Sequence, residues 1–498
     1  FFFFFHLMTG HIMRNRALLS WLVYFLLINH HIAVSEIQSL TQHQVSIAKI
    51  AEQVQQKSDG QLLTIKRAKA HSHCPRSNKY KAGTQQVDIS SLDNIVGVEM
   101  INEHGPYCAI VEVEPLVTME QLVKELLPMG LMPAVVPEFR KMTVGGAIQG
   151  LAAESSSFKY GFLHDVCTSF ELVLGTGEVI TATAKNKYSD LFKAIPGSYG
   201  SLALMTSAKI LCIPATESVV VESRLVSTPE EFLAEVQNKR SADKDFLEGI
   251  AFGPEHHCCV SAKFVDKSSP EAKLPLKHLH RSLSPWFFKL IQKNIPMMSK
   301  EGVWQVRIPT EDYLFRHDRG AFWMASYRIP HPIGRLMGPA LDSRRMFQMA
   351  DMFPFAFPKS QILLQDFMLP RSTMPAFVKE LTDKLSVWPL WYLPMNNCQE
   401  KGHIMSMPGN CGDVCNVGAY GIPKKKFKFT EDNIFMEEVL TKLGGRKVFY
   451  SHAYYSREDF YGKLYNGTAY RKIRSKYGAD AAFKEVYDKV ITKGNDLG

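Results

Sequence analysis

No run of twenty apolar residues occurs in this chain of 498 residues, so no segment spans a bilayer on length alone. No G-x-G-x-x-G is present, which excludes the dinucleotide fingerprint in its ordinary form. Internal repeats and low-complexity linkers are absent, which argues against a solenoid. Cysteine is sparse: nine residues, an odd number, irregularly spaced, exclude a disulfide framework and imply mostly reduced thiols. Neither His71, His73 and Cys74 nor His256, His257, Cys258 and Cys259 has a partner pair at zinc-finger spacing, so no metal is expected. The net charge of +9 is dispersed. The densest basic run, Lys424-Lys425-Lys426 with Lys428, reads as a solvated face. It has no nucleic-acid motif beside it, and no nucleic-acid partner is expected.

What is present is globular in composition, with 46% hydrophobic residues. The length suggests about three domains or two large ones. The chain starts at Phe1 in a run of five phenylalanines, and Met13 makes a more natural start, so residues 1–16 read as an N-terminal extension of uncertain standing. Ala17 to Ile28 carries no charge and extends through two histidines to Val34. A full span needs about 20 residues, so 17–34 reads as a short membrane anchor or a signal-peptide core. Arg14 and Arg16 precede it and the next basic residue is Lys49, a bias that places the body outside the cytosol.

Residues 45–215 read as one α+β unit. Ile47, Ile50, Ala51 and Val54 share a helix face, and Leu62–Ile65, Val87–Ser90 and Cys108–Val113 read as strands. Thr118 caps a helix that Gly130 ends. Ser169–Leu174 and Glu178–Ala182 form a hairpin across Gly175-Thr176-Gly177. Ser189–Phe192 is a short helix, Ile195–Gly200 a loop and Ser201–Ile213 a buried strand. Within this unit lies Val135–Leu163. Thr143 offers an N-cap, and Gly145 and Gly146 fall in the first turn, where uncovered backbone N–H groups let a phosphate approach. Gly150 ends the apolar patch, and Ser155, Ser156 and Ser157 follow. On spacing alone, a phosphate cradle and an ordinary glycine turn both stand.

Pro214 marks the boundary to a second domain, 216–498. Pro229–Lys239 is helical and Cys258–Phe264 a strand. Ser284–Phe288 and Phe322-Trp323 are aromatic clusters, and Pro339–Lys379 is rich in Met and Phe. Such side chains pack a core, and their density also suits a pocket for a long apolar ligand.

Several runs resemble the Delta(24)-sterol reductases, the DIMINUTO family, within the FAD-binding group of the vanillyl-alcohol-oxidase/PCMH type. They are Val135, Pro137, Glu138, Thr143 to Gly146; Glu154 to Ser157 with Lys159, Tyr160 and Gly161; and Ser189 to Phe192 with Ala194 to Pro196, Ser198 and Gly200 to Leu202. The likeness continues in Pro285–Lys289, Arg316-His317, Gln365-Asp366, Gly418–Gly421 and Arg457–Phe460, from about residue 46 to the end. The departures are Arg67–Cys74, where the family usually carries glycine or a Trp-containing segment, Phe158 for a frequent histidine, Arg140-Lys141 for an acidic pair, and 396–416, which does not align.

The resemblance implies an α+β fold of two domains, a PCMH-type FAD-binding domain and an α+β substrate (cap) domain, preceded by the hydrophobic segment. It implies FAD held non-covalently by Thr143, Gly145 and Gly146 and by Leu151, Ala152, Ala153, Glu154, Ser155, Ser156, Ser157, Phe158, Lys159, Tyr160, Gly161, Phe162 and Leu163. The serine hydroxyls can bond a ribityl chain or a flavin edge. The implied reaction is NADPH-dependent reduction of the sterol side-chain double bond at position 24. Protonation of the less substituted carbon would develop a tertiary cation beside it. His317, Tyr420 and Tyr454 are the candidate acids. A covalent flavin bond at His71 or His73, an alcohol oxidase of the same flavin group, and a sterol-binding protein without chemistry are the alternatives. The family implies the endoplasmic reticulum membrane with a cytosolic body, against the charge bias above and the sequon Asn466-Gly467-Thr468.

Overall fold

The computed structural model describes residues 40–493 except 68–74, 76–77, 102–104, 239–242, 354–357, 397–403 and 406–412. The hydrophobic segment 17–34, His71, His73 and Cys74 lie outside the described residues.

Two antiparallel sheets form two units. The first carries β3 (Ile95–Met100), β4 (Ala109–Val113), β5 (Leu131–Pro133), β6 (Cys167–Val173), β7 (Val179–Thr183) and β8 (Leu204–Pro214), preceded by a small parallel pair, β1 (Leu63–Lys66) and β2 (Gln85–Asp88). Its order is β3-β4-β8-β6-β7, with β5 also on β8. β8 lies at the centre, and its apolar side chains are almost all buried. The predicted hairpin is β6–β7, turned at Gly177 with φ +84°. The predicted helical face lies on α1 (40–55), whose Ile47, Ile50 and Val54 are buried. His43 ties α1 to the sheet through Glu114 (2.7 Å) and Glu171 (3.1 Å). Burial works to lower its pKa, but the two carboxylates outweigh it and lift it to about 9.

Helix α2 (Met119–Leu126) starts where the Thr118 hydroxyl accepts from the Gln121 N–H. Helix α3 (Val144–Gln149) starts at Thr143, whose backbone is extended but whose side chain makes no cap bond. The Gly145 N–H donates instead to the Pro115 carbonyl at 2.9 Å. Helix α4 (Ser157–Tyr160) follows, packed on the second sheet.

The second sheet holds β9 (Ser218–Val226), β10 (Phe246–Gly253), β11 (His256–Phe264), β12 (Trp304–Pro309), β13 (Leu363–Pro370), β14 (Leu390–Asn396), β15 (Asp413–Gly421) and β16 (Arg446–Lys447), in the order β12-β9-β11-β10-β14-β15-β13-β16. The chain thus passes from the first sheet to the second between Pro214 and Ser218. One face of this sheet packs on helices such as Met374–Lys384 around Phe367, Phe377 and Leu381. The other face looks back toward the first unit. After Gly467 the chain returns to the first unit: Phe483 bridges to Leu63, and the Arg474 guanidinium donates to the Ser201 carbonyl at 2.6 Å.

Among the described residues the six cysteines are free. Cys258 and Cys259 alternate along β11, and His257 bonds the Pro254 carbonyl and Tyr392, so this cluster does not converge on one point.

Candidate active site

Between the two units runs one cavity of about 320 Å³. Its first wall is the turn-and-helix stretch of the first unit. Gly145, Gly146, Gly150, Leu151, Ala152 and Ala153 line it, with Thr143 and Phe162. Gly145 permits close packing: a Cβ there would lie 2.6 Å from the Pro115 Cβ. Gly146 faces the cavity, where an added Cβ would meet only the Thr143 hydroxyl. Leu151 holds φ +60°, a left-handed backbone rare for leucine, just where the wall passes from helix to loop. One end of the cavity is cationic. Arg67, Lys81 and Lys489 line it, and Lys489 donates to the Gly200 carbonyl at 2.9 Å. Burial and the neighbouring Arg67 lower the Lys81 pKa.

The serine run points elsewhere. Ser156 donates to the Ala134 carbonyl (2.7 Å), and the Ser157 hydroxyl accepts from the Glu154 N–H (2.9 Å). The Ser155 carbonyl accepts from Leu247 on β10 at 2.8 Å. Phe158 packs on the second core, Lys159 pairs with Asp245, and Tyr160 lies beside Tyr107. Thus Thr143, Gly145, Gly146, Leu151, Ala152, Ala153 and Phe162 share the cavity. Glu154 to Gly161 and Leu163 do not line it, and Glu154, Ser155, Phe158 and Lys159 contact the second unit instead.

The opposite end is aromatic and acidic. Phe322, Trp391 and Tyr420 line it with Glu138, Asp366 and Asn416. Asp366 accepts from the Tyr420 hydroxyl (2.6 Å) and the Asn416 amide (2.5 Å). Burial raises the Asp366 pKa against those bonds. Glu138 is surrounded by protein, and its residual exposure faces the cavity. Burial, then the charges of Glu154 and Asp366, push its pKa up to about 8. The shift favours the protonated carboxyl at neutral pH.

Behind the aromatic wall lies a buried ionic network. Arg316 donates to Glu248 through Nε (2.7 Å), to Glu154 through Nη2 (2.9 Å) and to the Tyr313 carbonyl through Nη1 (3.0 Å). Glu248 also accepts from Trp391 Nε1 (2.7 Å) and bonds His317 Nε2 (2.8 Å). Burial opposes the Glu248 carboxylate, but Arg316 and His317 outweigh it and hold its pKa below the ordinary value. Glu154, Glu248 and His317 bring ligand atoms within 4.8 Å of one another, yet the cation among them is the Arg316 guanidinium.

His317 is stacked beneath Phe322, with centroids 4.3 Å apart, and does not line the cavity. Burial drops its pKa to about 4, so it is neutral at pH 7. Of the three predicted acids only Tyr420 reaches the cavity. Tyr454 lies outside it, its backbone N–H bonded to Glu437 at 3.1 Å. Glu138 and Asp366 stand in the sequence motifs with no role attached to either. The signal for Glu138 was a lone carboxylate behind the apolar run Val135-Val136-Pro137, where an acid has no solvent reason to be.

Residues 48–183 match the FAD binding domain family, a span that includes the glycine wall of the cavity. Over 425 residues, 83% of this chain and 79% of that protein, the sequence is 30% identical to the Delta(24)-sterol reductase of Homo sapiens. Over 439 residues it is 28% identical to the Delta(24)-sterol reductase of Arabidopsis thaliana, covering 81% of this chain and 76% of that one. The fold is similar to the crystal structure of a VAO-type flavoprotein from Myceliophthora thermophila, with a TM-score of 0.53 and 16% identity over 86% of this chain and 75% of that one. The architecture is the two-domain PCMH-type fold expected from the sequence.

Proposed function

The chain belongs to the Delta(24)-sterol reductase family, and we propose that it reduces the side-chain double bond of a sterol bound at the acidic end of the cavity, with NADPH as electron donor. The observation that carries this reading is the placement of Glu138: a carboxyl lining an aromatic cavity continuous with the glycine wall of an FAD-binding domain.

The residues present fit FAD. The wall of Gly145, Gly146 and Gly150 leaves backbone uncovered along the cavity, and the cationic end suits a diphosphate. When bound and reduced, FAD supplies a hydride to carbon. The chain's own part is proton delivery and exclusion of water. Glu138 gives its proton to the less substituted olefin carbon, and the faces of Phe322, Trp391 and Tyr420 stabilise the tertiary cation that develops beside it. Asp366, held by Tyr420 and Asn416, adds a fixed acceptor near that charge.

Gly145→Val tests the wall. The added atoms meet the Pro115 ring, so α3 must shift, at a cost of about 1–3 kcal/mol. Purified Gly145→Val is expected to carry far less flavin, read as visible absorbance per chain. Wild-type flavin content in this variant would count against the glycine wall as the FAD site.

We place the protein at the endoplasmic reticulum membrane with its body in the cytosol, in line with the family and with NADPH supply. Among the described residues no helix is long and apolar enough to cross a membrane. Sealed microsomes carrying the protein are expected to convert desmosterol when NADPH is added outside, with no gain on detergent treatment. Peroxide formation without NADPH would favour the oxidase. Turnover that appears only after detergent would put the body in the lumen.

A further inference from the structure

Seven of the fourteen exposed large apolar side chains among the described residues fall between Leu283 and Phe353, and five of these lie between Ile333 and Phe353. Helix α5 (His331–Met337) carries three of them. Ile333, Leu336 and Met337 stand at i, i+3 and i+4, one stripe of the helix. An adjoining side of α5 is buried, since Gly334 packs so closely on Trp286 that a Cβ would lie 2.4 Å from its ring. The outward stripe is therefore rigidly presented. Leu283 joins it: its carbonyl accepts from Arg335 Nε (2.7 Å), and its N–H donates to the Arg335 carbonyl (3.1 Å). Arg319 locks the same loop to α5 by donating to the Leu279 and Ser284 carbonyls on one side and those of Gly334 and Arg335 on the other. Met352 and Phe353 are exposed at the end of α6 (Ser343–Met352), the next α-helix of the chain.

The charge along this stretch is net positive. Residues 328–360 contain Arg328, Arg335, Arg344, Arg345 and Lys359 against Asp342 and Asp351. Both acids are already engaged, Asp342 with Arg345 and Asp351 with Lys359. Exposed apolar side chains in a stretch with excess arginine suit an interface between acyl chains and lipid phosphates. The inner side of α6 supplies Met346, Phe347 and Ala350 to a second, apolar cavity of about 70 Å³. That cavity shares Met324, Phe347 and Leu364 with the main one.

We propose that the face made by Leu283, α5 and the end of α6 docks on an anionic phospholipid bilayer, and that a sterol passes from the bilayer along α6 into the cavity. This contact is separate from the hydrophobic segment at 17–34. The docking half stands on the surface alone; the passage rests on the sterol reading above.

Hydrogen exchange of the full chain tests the docking half. Peptides covering 328–353 are expected to gain protection with phosphatidylcholine vesicles containing phosphatidylserine, and less with phosphatidylcholine alone. No vesicle-dependent protection would overturn it. So would protection that rises with protein concentration without vesicles, which would assign the face to a second copy. A Leu336→Asp, Met352→Asp chain tests the passage. Its turnover of desmosterol held in vesicles is expected to fall about tenfold, with desmosterol from a cyclodextrin complex unaffected. An equal loss in both, or no loss in either, overturns the passage. Absence of turnover in the wild-type chain would sink the sterol reading and leave the exchange result standing on its own.

Discussion

Glu138→Gln is expected to lower turnover of a sterol olefin by about 10² to 10⁴, the usual contribution of one positioned acid, while flavin content stays at the wild-type level. The glutamine keeps the shape and loses the acidic proton. The wild-type enzyme carries the complementary signature: kcat is expected to hold below pH 8 and to fall above it, because only the protonated Glu138 can donate. Glu154→Gln should move that falling limb to lower pH, since the Glu154 charge helps hold the Glu138 proton. Stability supplies a second readout, with its sign fixed by linkage. In the folded state Glu138 keeps a proton up to about pH 8, which the unfolded chain releases near 4.5. The fold therefore loses up to about 1.4 kcal/mol of stability per pH unit across that window. Glu138→Gln removes this loss, so the variant should outlast the wild type in urea at pH 8 while scarcely turning over. A variant with wild-type kcat and an unmoved pH limb would show that the proton comes from elsewhere, and Tyr420→Phe would be the next variant to make.

The difference between what the sequence disclosed and what it hid follows from the range of the forces involved. The α2 cap at Thr118, the β6–β7 turn at Gly177 and the end of α3 at Gly150 are set by neighbours a few residues away, and each was readable. β3 was not read, because Gly97 interrupts its pattern and a bulge between Ile95 and Gly97 breaks its register with β4. The serine run was legible as polar and misdirecting as to target. Hydroxyls facing a cavity and hydroxyls facing a backbone carbonyl look the same in one dimension, and Ser156 found the Ala134 carbonyl. His317 sits in an aromatic context that suggested a cavity. Its neighbour Arg316 has to meet carboxylates in the interior, and both were drawn behind Phe322. Glu138 and Asp366 come from different units and meet only when β13 is laid across the loop after β5. Their shared cavity has no local trace, and neither has the burial that, ahead of the Glu154 and Asp366 charges, raises the Glu138 pKa.

Arg316→Ala is expected to be the most damaging single change to the fold, costing about 3–5 kcal/mol. The arginine is buried, and its guanidinium is shared by Glu154 on the first unit and Glu248 on β10 of the second. Removing it leaves two buried carboxylates without their cation, at the seam that holds the aromatic wall against the cavity. Lys at this position should recover only part of the loss, because one ammonium cannot reproduce the two-sided fork at 2.7 and 2.9 Å. The damage should also reach the site. Trp391 and His317 both bond Glu248, so an unpaired Glu248 frees the groups behind the aromatic wall, and flavin content should fall along with stability. A chain with Arg316→Met, Glu154→Gln and Glu248→Gln together separates the two contributions. It buries no unpaired charge and should regain most of the unfolding midpoint lost by Arg316→Ala. If Arg316→Ala alone unfolds in urea at the wild-type midpoint, the network does not hold the two units together. If the triple variant is as unstable as the single one, what Arg316 contributes is packing against Tyr313 and Phe287, whose rings lie 4.3 and 5.6 Å from its guanidinium, and not charge.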